Sequence, residues 1–423
     1  MTETPVLIVG GGPVGLALAL DLAWHGQRSM VIEQDAGTAL GLLAKAGTLN
    51  ERTMEFCRRW GIRDAVANCG FPADAPRDTF YVTAMNGFVL GREQMASAQD
   101  RALPPGAAEI LRKCPQHLFD PLLAKAVLAT GRVDLRYRTR CESFTQDDDG
   151  VTAELIGDGA GTVRARFMVA CDGAGSAIRT KLGIDFPGPN LGHSVSAMVR
   201  IPDLDRFHSL GPGERYMFVG TAGTWADLTS VDGVDLWRFT LVGSAGNDPR
   251  ESDMRDALAR AFGCNDVPFE ILRMVPWRRS QCHADRYREG RVFLAGDAAH
   301  TTSPTGGHGL NTGLGDVVGL GWVLGAALRG WGGEALLDPY ETERRAVGIR
   351  NSGSSTRNFS AWLGGGDAGT VLDDTAVGAA TRARVGAAMS ASLVEEWHSL
   401  GIGLGYRYEG SPVIVPDGTP PPG

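Results

Sequence analysis

The chain has 423 residues, 43% hydrophobic and 21% charged, the balance of a water-soluble globular protein too long for one ordinary core. Its formal net charge is −8 with both signs scattered, so it lacks the basic face that nucleic acid demands. No stretch reaches the roughly 20 apolar residues of a bilayer span, and the acidic start is unlike a signal peptide.

Seven cysteines, Cys57, Cys69, Cys114, Cys141, Cys171, Cys264 and Cys282, stand singly. There is no Cys-x-x-Cys pair, so neither a metal site nor a redox dithiol is expected. Most read as small buried apolar residues in a reducing cytoplasm.

In chain order, Pro5–Val9 is a short apolar run that predicts a buried central strand. Gly10-x-Gly12-x-x-Gly15 follows, then Val14–Ala23 with helical spacing, then a second buried strand, Ser29–Glu33. Strand, glycine turn, helix and strand fit one βαβ unit of about 30 residues. Gly10 permits the tight turn, Gly12 leaves room for a pyrophosphate, and Gly15 lets helix and strand pack closely. The helix N-terminus offers free N–H groups to phosphate. Glu33 lies 23 positions after Gly10, where a carboxylate can accept two ribose hydroxyls and would repel a 2′-phosphate.

Gln116–Thr130 predicts an amphipathic helix, and Asp134–Arg140, Val151–Ile156 and Val163–Val169 predict strands. The strand ending at Ala170 runs into Cys171-Asp172-Gly173-Ala174-Gly175-Ser176-Ala177-Ile178-Arg179, which by itself reads equally well as a turn. Strands and turns dominate Ser194–Val242, and Trp237-Arg238-Phe239-Thr240-Leu241 alternates as a half-buried antiparallel strand does. Val292–Leu294 is another core strand that ends at Gly296-Asp297. A tight loop through Pro304 and Gly307-His308-Gly309 leads to a helix beginning near Leu310. Asp297 is poised for a ribitol hydroxyl. The N–H groups near Leu310 and Asn311 suit the electron-rich N1 and O2 edge of a reduced flavin. From Gly309 to about Trp397 the pattern is mainly helical. The end, Pro416–Gly423, is proline-rich and reads as a linker.

These three motifs in this order, with Lys45-Ala46-Gly47-Thr48-Leu49-Asn50-Glu51-Arg52-Thr53-Met54-Glu55 and Gln116 at the head of its helix, carry a resemblance. The chain resembles the aromatic-ring hydroxylase family of FAD monooxygenases, which contains para-hydroxybenzoate, phenol and polyketide hydroxylases. The likeness covers nearly the whole chain and is strongest to the phenol- and nitrocatechol-hydroxylase branch. It implies an α/β fold: a Rossmann-like FAD-binding domain from residues 1–75, 105–185 and 285–400, carrying the C-terminal helices. A β-rich substrate domain from 76–104 and 186–284 is inserted in it. Residues 401–423 form a linker where many relatives continue into a thioredoxin-like domain.

The resemblance also implies roles. Gly10, Gly12, Pro13, Val14, Gly15, Glu33 and Gln34 hold the ADP half of FAD. Arg112 and Gln116 contact the phosphate-ribitol chain, and Asp172 is tied to both FAD and nicotinamide. Gly296 and Asp297 grip the ribitol, while Pro304, Gly307, Gly309, Leu310 and Asn311 line the ring. Lys45 stands where the family usually has Arg, a point charge in place of a planar fork at a position tied to flavin gating.

Only one dinucleotide fingerprint is present, so NADPH or NADH is expected as a transient co-substrate over the FAD domain. In the family mechanism NAD(P)H reduces FAD, O2 adds at flavin C4a, and the hydroperoxide hydroxylates an electron-rich aromatic ring, phenolic or polyketide-like. Epoxidation, Baeyer–Villiger oxidation and reduction on the same scaffold stay open. No Trp-x-Trp-x-Ile-Pro segment marks a halogenase, and the intact Asp172 and Asp297 motifs argue against a non-enzymatic binder. Tyr216, Phe218 and Trp225 are candidates for a wall of the aromatic pocket, with ordinary sheet core as the competing reading. No general base stands out: His117, His193, His300 and His308 read as structural. A homodimer, the ring substrate and the choice of nicotinamide are left open.

Overall fold

The computed structural model describes residues 1–38, 46–243, 249–363 and 366–419. Lys45 lies outside the described residues. The apolar run near the N-terminus forms the strand Thr2–Val9, with Val6, Leu7 and Ile8 fully buried. It lies between Ser29–Ile32 and Gly161–Ala170, parallel to both. A strand covered on two faces has no solvent side to write into the sequence, so it shows no alternation.

This mostly parallel sheet has eight strands. Its main path runs Arg288–Glu289, Val292–Leu294, Gly161–Ala170, Thr2–Val9, Ser29–Ile32 and Val133–Arg136. The register decides where the motifs meet. Val9 lies beside Ala170, and Ala170 beside Leu294. Three neighbouring strands therefore end level, and the loops at Gly10, Asp172 and Gly296 leave from one carboxyl edge, where open α/β sheets bind ligands.

A second sheet of seven strands runs Glu270–Ser280, Asn190–Arg200, Leu236–Val242, Gly223–Ser230, Arg215–Gly220, Thr79–Val82 and Val89–Glu93. Its two faces are covered differently. Phe80, Val82, Val195, Tyr216, Phe218 and Phe239 pack with Met254, Leu258 and Phe262 of the helix Glu251–Phe262. On the other face, Tyr81, Met217 and Val219 meet Phe359, Trp362, Val385 and Met389 of the C-terminal helices Pro339–Leu363 and Ala376–Ser392. The helix His308–Leu328 packs on Pro13–Trp24. Among the described residues no helix is long and apolar enough to cross a membrane.

Two features depart from the sequence expectation. The strand expected over Asp134–Arg140 is broken into Val133–Arg136 and Thr139–Gln146, because Arg138 takes a positive φ of 48° that ends the first strand. The helix Glu251–Phe262 was not anticipated in a β-rich stretch. Its buried Met254, Leu258, Ala261 and Phe262 repeat at helical spacing, and Gly263 closes it in the left-handed region at φ 74°.

Candidate functional site

Three tight loops form the carboxyl edge of the parallel sheet. Gly10 has φ 111°, and a Cβ there would lie 2.3 Å from the Cys171 carbonyl oxygen. A Cβ on Gly15 would lie 2.0 Å from the Gly10 carbonyl oxygen. Both glycines are thus required by the chain's own backbone. Gly12 is different: a Cβ there would meet nothing within 4 Å. Gly12 is the N-cap of the Pro13–Trp24 helix and has no side chain to cap it, so the first-turn N–H groups face that open space. Room and unsatisfied donors at a helix N-terminus fit a phosphate group.

Glu33 holds this loop in place. Its Oε2 accepts from the Gly11 N–H at 2.7 Å, and its Oε1 accepts from the Asp35 N–H at 2.9 Å. Each carboxylate oxygen has a further lone pair, so these bonds leave acceptors for ribose hydroxyls. Gln34 is exposed beside it.

The second and third loops are stitched to the first. The Asp172 Oδ2 accepts from the Ile178 N–H at 3.2 Å, while its buried Oδ1 has no protein partner. A buried carboxylate oxygen left open at this edge fits a ligand donor. Arg179 donates to the carbonyls of Ala298 at 2.8 Å and Ala174 at 2.9 Å, tying the Asp172 loop to the Gly296 loop. The Val14 side chain fills the space beside Gly296 and Gly313, where a Cβ would come within 2.9 Å and 2.8 Å of it. Pro13 starts the helix. Asp297 is the exposed residue of its loop.

Behind Gly296 sits a buried charged triad. Asp316 is fully buried. Its Oδ2 accepts from the Gly296 N–H at 3.1 Å and meets His300 Nε2 at 2.7 Å, and its Oδ1 accepts from Arg344 Nε at 2.9 Å. Burial pushes the Asp316 carboxyl up, but His300 and Arg344 beside it outweigh burial and hold it below the usual range. His300 is therefore committed to positioning the loop. His308 is buried too, and burial with the Arg350 charge brings it down to about 4, so it is neutral at physiological pH.

Asn311 carries four internal hydrogen bonds. Its Oδ1 accepts from the Asn50 N–H at 2.9 Å and the Thr53 hydroxyl at 2.7 Å, and its Nδ2 donates to the carbonyls of Thr48 at 3.0 Å and Gly307 at 2.7 Å. Its side chain is a clamp at the start of the helix His308–Leu328, whose N-cap Gly307 supplies no side-chain cap. Pro304 and Gly307 are exposed, and Gly309 and Leu310 half-buried. Arg112 pairs in register with Leu49, and Gln116 donates to Asp120 at 3.1 Å.

The Tyr216, Phe218 and Trp225 expectation needs correction. Strand alternation turns Tyr216 and Phe218 to the face that packs on Glu251–Phe262, and Trp225 packs beside Phe218 and under Arg260. All three belong to the outer core of that sheet. The face toward the loops carries Arg215, Asp227, Arg238, Thr240, Trp277 and Arg279 instead, since these alternate with the core residues along the same strands. Arg279 donates to the Ser303 hydroxyl at 2.7 Å, which joins this face directly to the loop before His308. Its guanidinium lies 3.9 Å from the Phe359 ring centre and 4.8 Å from that of Trp277. Arg215 pairs with Glu396 at 3.0 Å and Asp227 at 3.5 Å, and Lys113 and Arg77 both pair with Glu214. Burial brings the Arg279 guanidinium down to about 10.

Sequence reasoning missed Arg179, Arg279, Asp316 and Arg344. Arg179 stood inside a motif already singled out. The other three carry no local signal, because their partners are 16 or more residues away.

The comparisons with known proteins agree with this geometry. A family described as "FAD binding domain" matches residues 3–353. A putative polyketide hydroxylase of Streptomyces halstedii is 35% identical over 361 residues, covering 82% of this chain and 63% of that protein. A 4-methyl-5-nitrocatechol 5-monooxygenase of Burkholderia sp is 35% identical, covering 82% of this chain and 65% of that one. The chain thus spans somewhat less than two thirds of these relatives. Among solved structures, the rebeccamycin biosynthetic enzyme RebC with reduced flavin is similar at a TM-score of 0.90 and 38% identity, covering 97% of this chain and 78% of that one. RebC soaked with chromopyrrolic acid holds 7-carboxy-K252c. This chain belongs to the FAD-dependent aromatic hydroxylase family.

Proposed function

We propose that this chain uses FAD, O2 and a reduced nicotinamide to hydroxylate a polycyclic aromatic substrate that carries an anionic group. FAD supplies the redox chemistry when bound, taking up a hydride and, once reduced, activating O2. The balance is one substrate C–H, O2, NAD(P)H and a proton giving one C–OH, water and NAD(P)+. Gly12 and the first turn of Pro13–Trp24 take the pyrophosphate, with Gly10, Val14 and Gly15 shaping the turn. Glu33 takes the adenosine ribose, with Gln34 beside it. Asp297 takes the ribitol, with Gly296, Arg112, Gln116 and Asp172 around it. The N–H groups at Gly307, Gly309, Leu310 and Asn311, after Pro304, face the ring. NADPH or NADH visits this one nucleotide fold transiently. We assign the FAD domain to residues 1–75, 105–185 and 285–400 and the substrate domain to 76–104 and 186–284. Seven free cysteines suit a reducing cytoplasm.

The substrate class rests on Arg279. It is 2% exposed, its hydrogen-bond partner is a neutral hydroxyl, and its Nε has no partner. Among the described residues no carboxylate forms an ion pair with it. The carboxylates nearest its charge, Asp227 and Glu396, are already paired with Arg215, so burying this guanidinium is costly and an anion repays that cost. Around it, Arg77, Lys113, Arg215, Arg238 and Arg279 are five cations against three carboxylates, Glu214, Asp227 and Glu396. Trp277, Phe359 and Trp362 supply ring faces beside these charges. The acid held by RebC, a relative of 38% identity, is in keeping with this reading.

The test compares a polycyclic aromatic acid with its methyl ester. The FAD-loaded protein is mixed with NADH or NADPH, and bleaching of the flavin band is followed before product analysis. The acid should accelerate bleaching and yield a product one oxygen heavier, while the ester should do neither well. Equal stimulation by both would remove the anionic group from the proposal. Stimulated bleaching without an oxygenated product would reassign the chain as a reductase.

A further inference from the structure

Cys69 and Cys114 are 45 positions apart, and their spacing argued against a redox dithiol. The fold brings them together. Cys69 follows the short helix Arg63–Ala67, and Cys114 follows the strand Arg112–Lys113. The Cys69 thiol donates to the Lys113 carbonyl oxygen at 3.6 Å, which sets it against the backbone one peptide from Cys114. Cys69 is half-buried, whereas Cys114 is fully buried. Ala67 and Phe71, on either side of Cys69, and Arg112 and Lys113, which precede Cys114, line one surface crevice together with Arg77.

The chemistry of the two sulfurs differs accordingly. The Cys114 hydrogen bond, the Phe71 N–H and the Arg112 charge favour the Cys69 thiolate over the burial that opposes it, and bring it down to about 6. The same contact and burial push Cys114 far up, so it keeps its proton. By contrast, burial drives Cys57 up to about 12 and Cys141 up to about 11. A half-buried cysteine whose thiolate is favoured, held one peptide from a second thiol that can resolve it, is the arrangement of a peroxide-reactive cysteine pair.

We propose that Cys69 and Cys114 are a redox-active pair in which hydrogen peroxide oxidises Cys69 and Cys114 then closes a reversible disulfide. In the first step the Cys69 thiolate attacks one peroxide oxygen, an S–O bond forms as the O–O bond breaks, and hydroxide leaves to take up a proton. In the second, the Cys114 sulfur attacks the Cys69 sulfur, an S–S bond forms as the S–O bond breaks, and the displaced oxygen leaves as water with the Cys114 proton. Two thiols and one peroxide give one disulfide and two waters, the sulfurs losing the two electrons that peroxide gains.

The experiment treats the full-length, FAD-loaded protein with about one equivalent of hydrogen peroxide and reads intact mass and non-reduced peptide maps. The expected result is a loss of about 2 Da, a cross-link between the Cys69 and Cys114 peptides, and full reversal by dithiothreitol. In Cys114→Ser the resolving thiol is gone, and a sulfenic acid trapped by dimedone should appear on Cys69. Should Cys114→Ser fail to fold, the wild-type map alone decides. Oxygen adducts on Cys264 or Cys282 before any change at Cys69, or oxidation of Cys69 to higher acids with no cross-link to Cys114, would overturn the proposal.

Discussion

The two faces of the seven-stranded sheet are written in the same strands and read in opposite senses. The outer face is dry and aromatic: Phe80 stacks on Tyr216 with ring centres 5.4 Å apart, and Phe218 meets Phe239 edge-on at 6.2 Å. The inner face carries Arg215, Asp227, Arg238 and Arg279 at alternate positions, yet helices and loops cover it, so these charges are not a solvent surface. A period of two tells which residues share a face, not which face is the core and which is the site. The aromatic residues that look made for an aromatic ligand pack the protein itself, and the polar residues that look exposed lie on the covered inner face.

Three perturbations separate the faces. The largest effect is expected on the outer one. Phe218→Ala empties a fully buried position and should cost about 3–5 kcal/mol in urea unfolding, with KM for the aromatic acid unchanged in the folded fraction. A raised KM with intact stability would move Phe218 to the site. On the inner face, Arg279→Ala should leave the fold and flavin content intact. It should raise KM for the acid roughly 10- to 100-fold, matching the about 1.5–3 kcal/mol of a hydrogen bond to a charged group. An equal loss for the neutral ester would show that Arg279 packs rather than pairs.

The smallest effect concerns pH. Burial lowers the Arg279 guanidinium, yet a guanidinium keeps its proton throughout the range in which a protein works. For a non-phenolic acid, KM should therefore be flat from about pH 6 to 9. A climb between about pH 6 and 7 would instead point to a histidine.

The glycine and aspartate motifs were legible because they express backbone requirements that few residues meet. Gly10 and Gly15 are fixed by atoms less than 2.5 Å from any Cβ, and the Val292–Leu294 strand was bounded by its loop. The parts that sequence could not reveal depend on tertiary partners. Asp316 reads as an acid in a helix until His300, Arg344 and the Gly296 N–H surround it. Asn311 gives no sign in the sequence that its side chain clamps Thr48, Asn50, Thr53 and Gly307. The helix Glu251–Phe262 was available in its spacing, but its charged residues and the strands on either side obscured it.

The most direct measurement is a crystal structure of the FAD-loaded protein with a polycyclic aromatic carboxylate bound. The account predicts the ring system against the inner face of the sheet, its carboxylate within about 3 Å of the Arg279 or Arg238 guanidinium. A ligand whose carboxylate points to solvent, or whose rings lodge among Tyr216, Phe218 and Trp225, would contradict it.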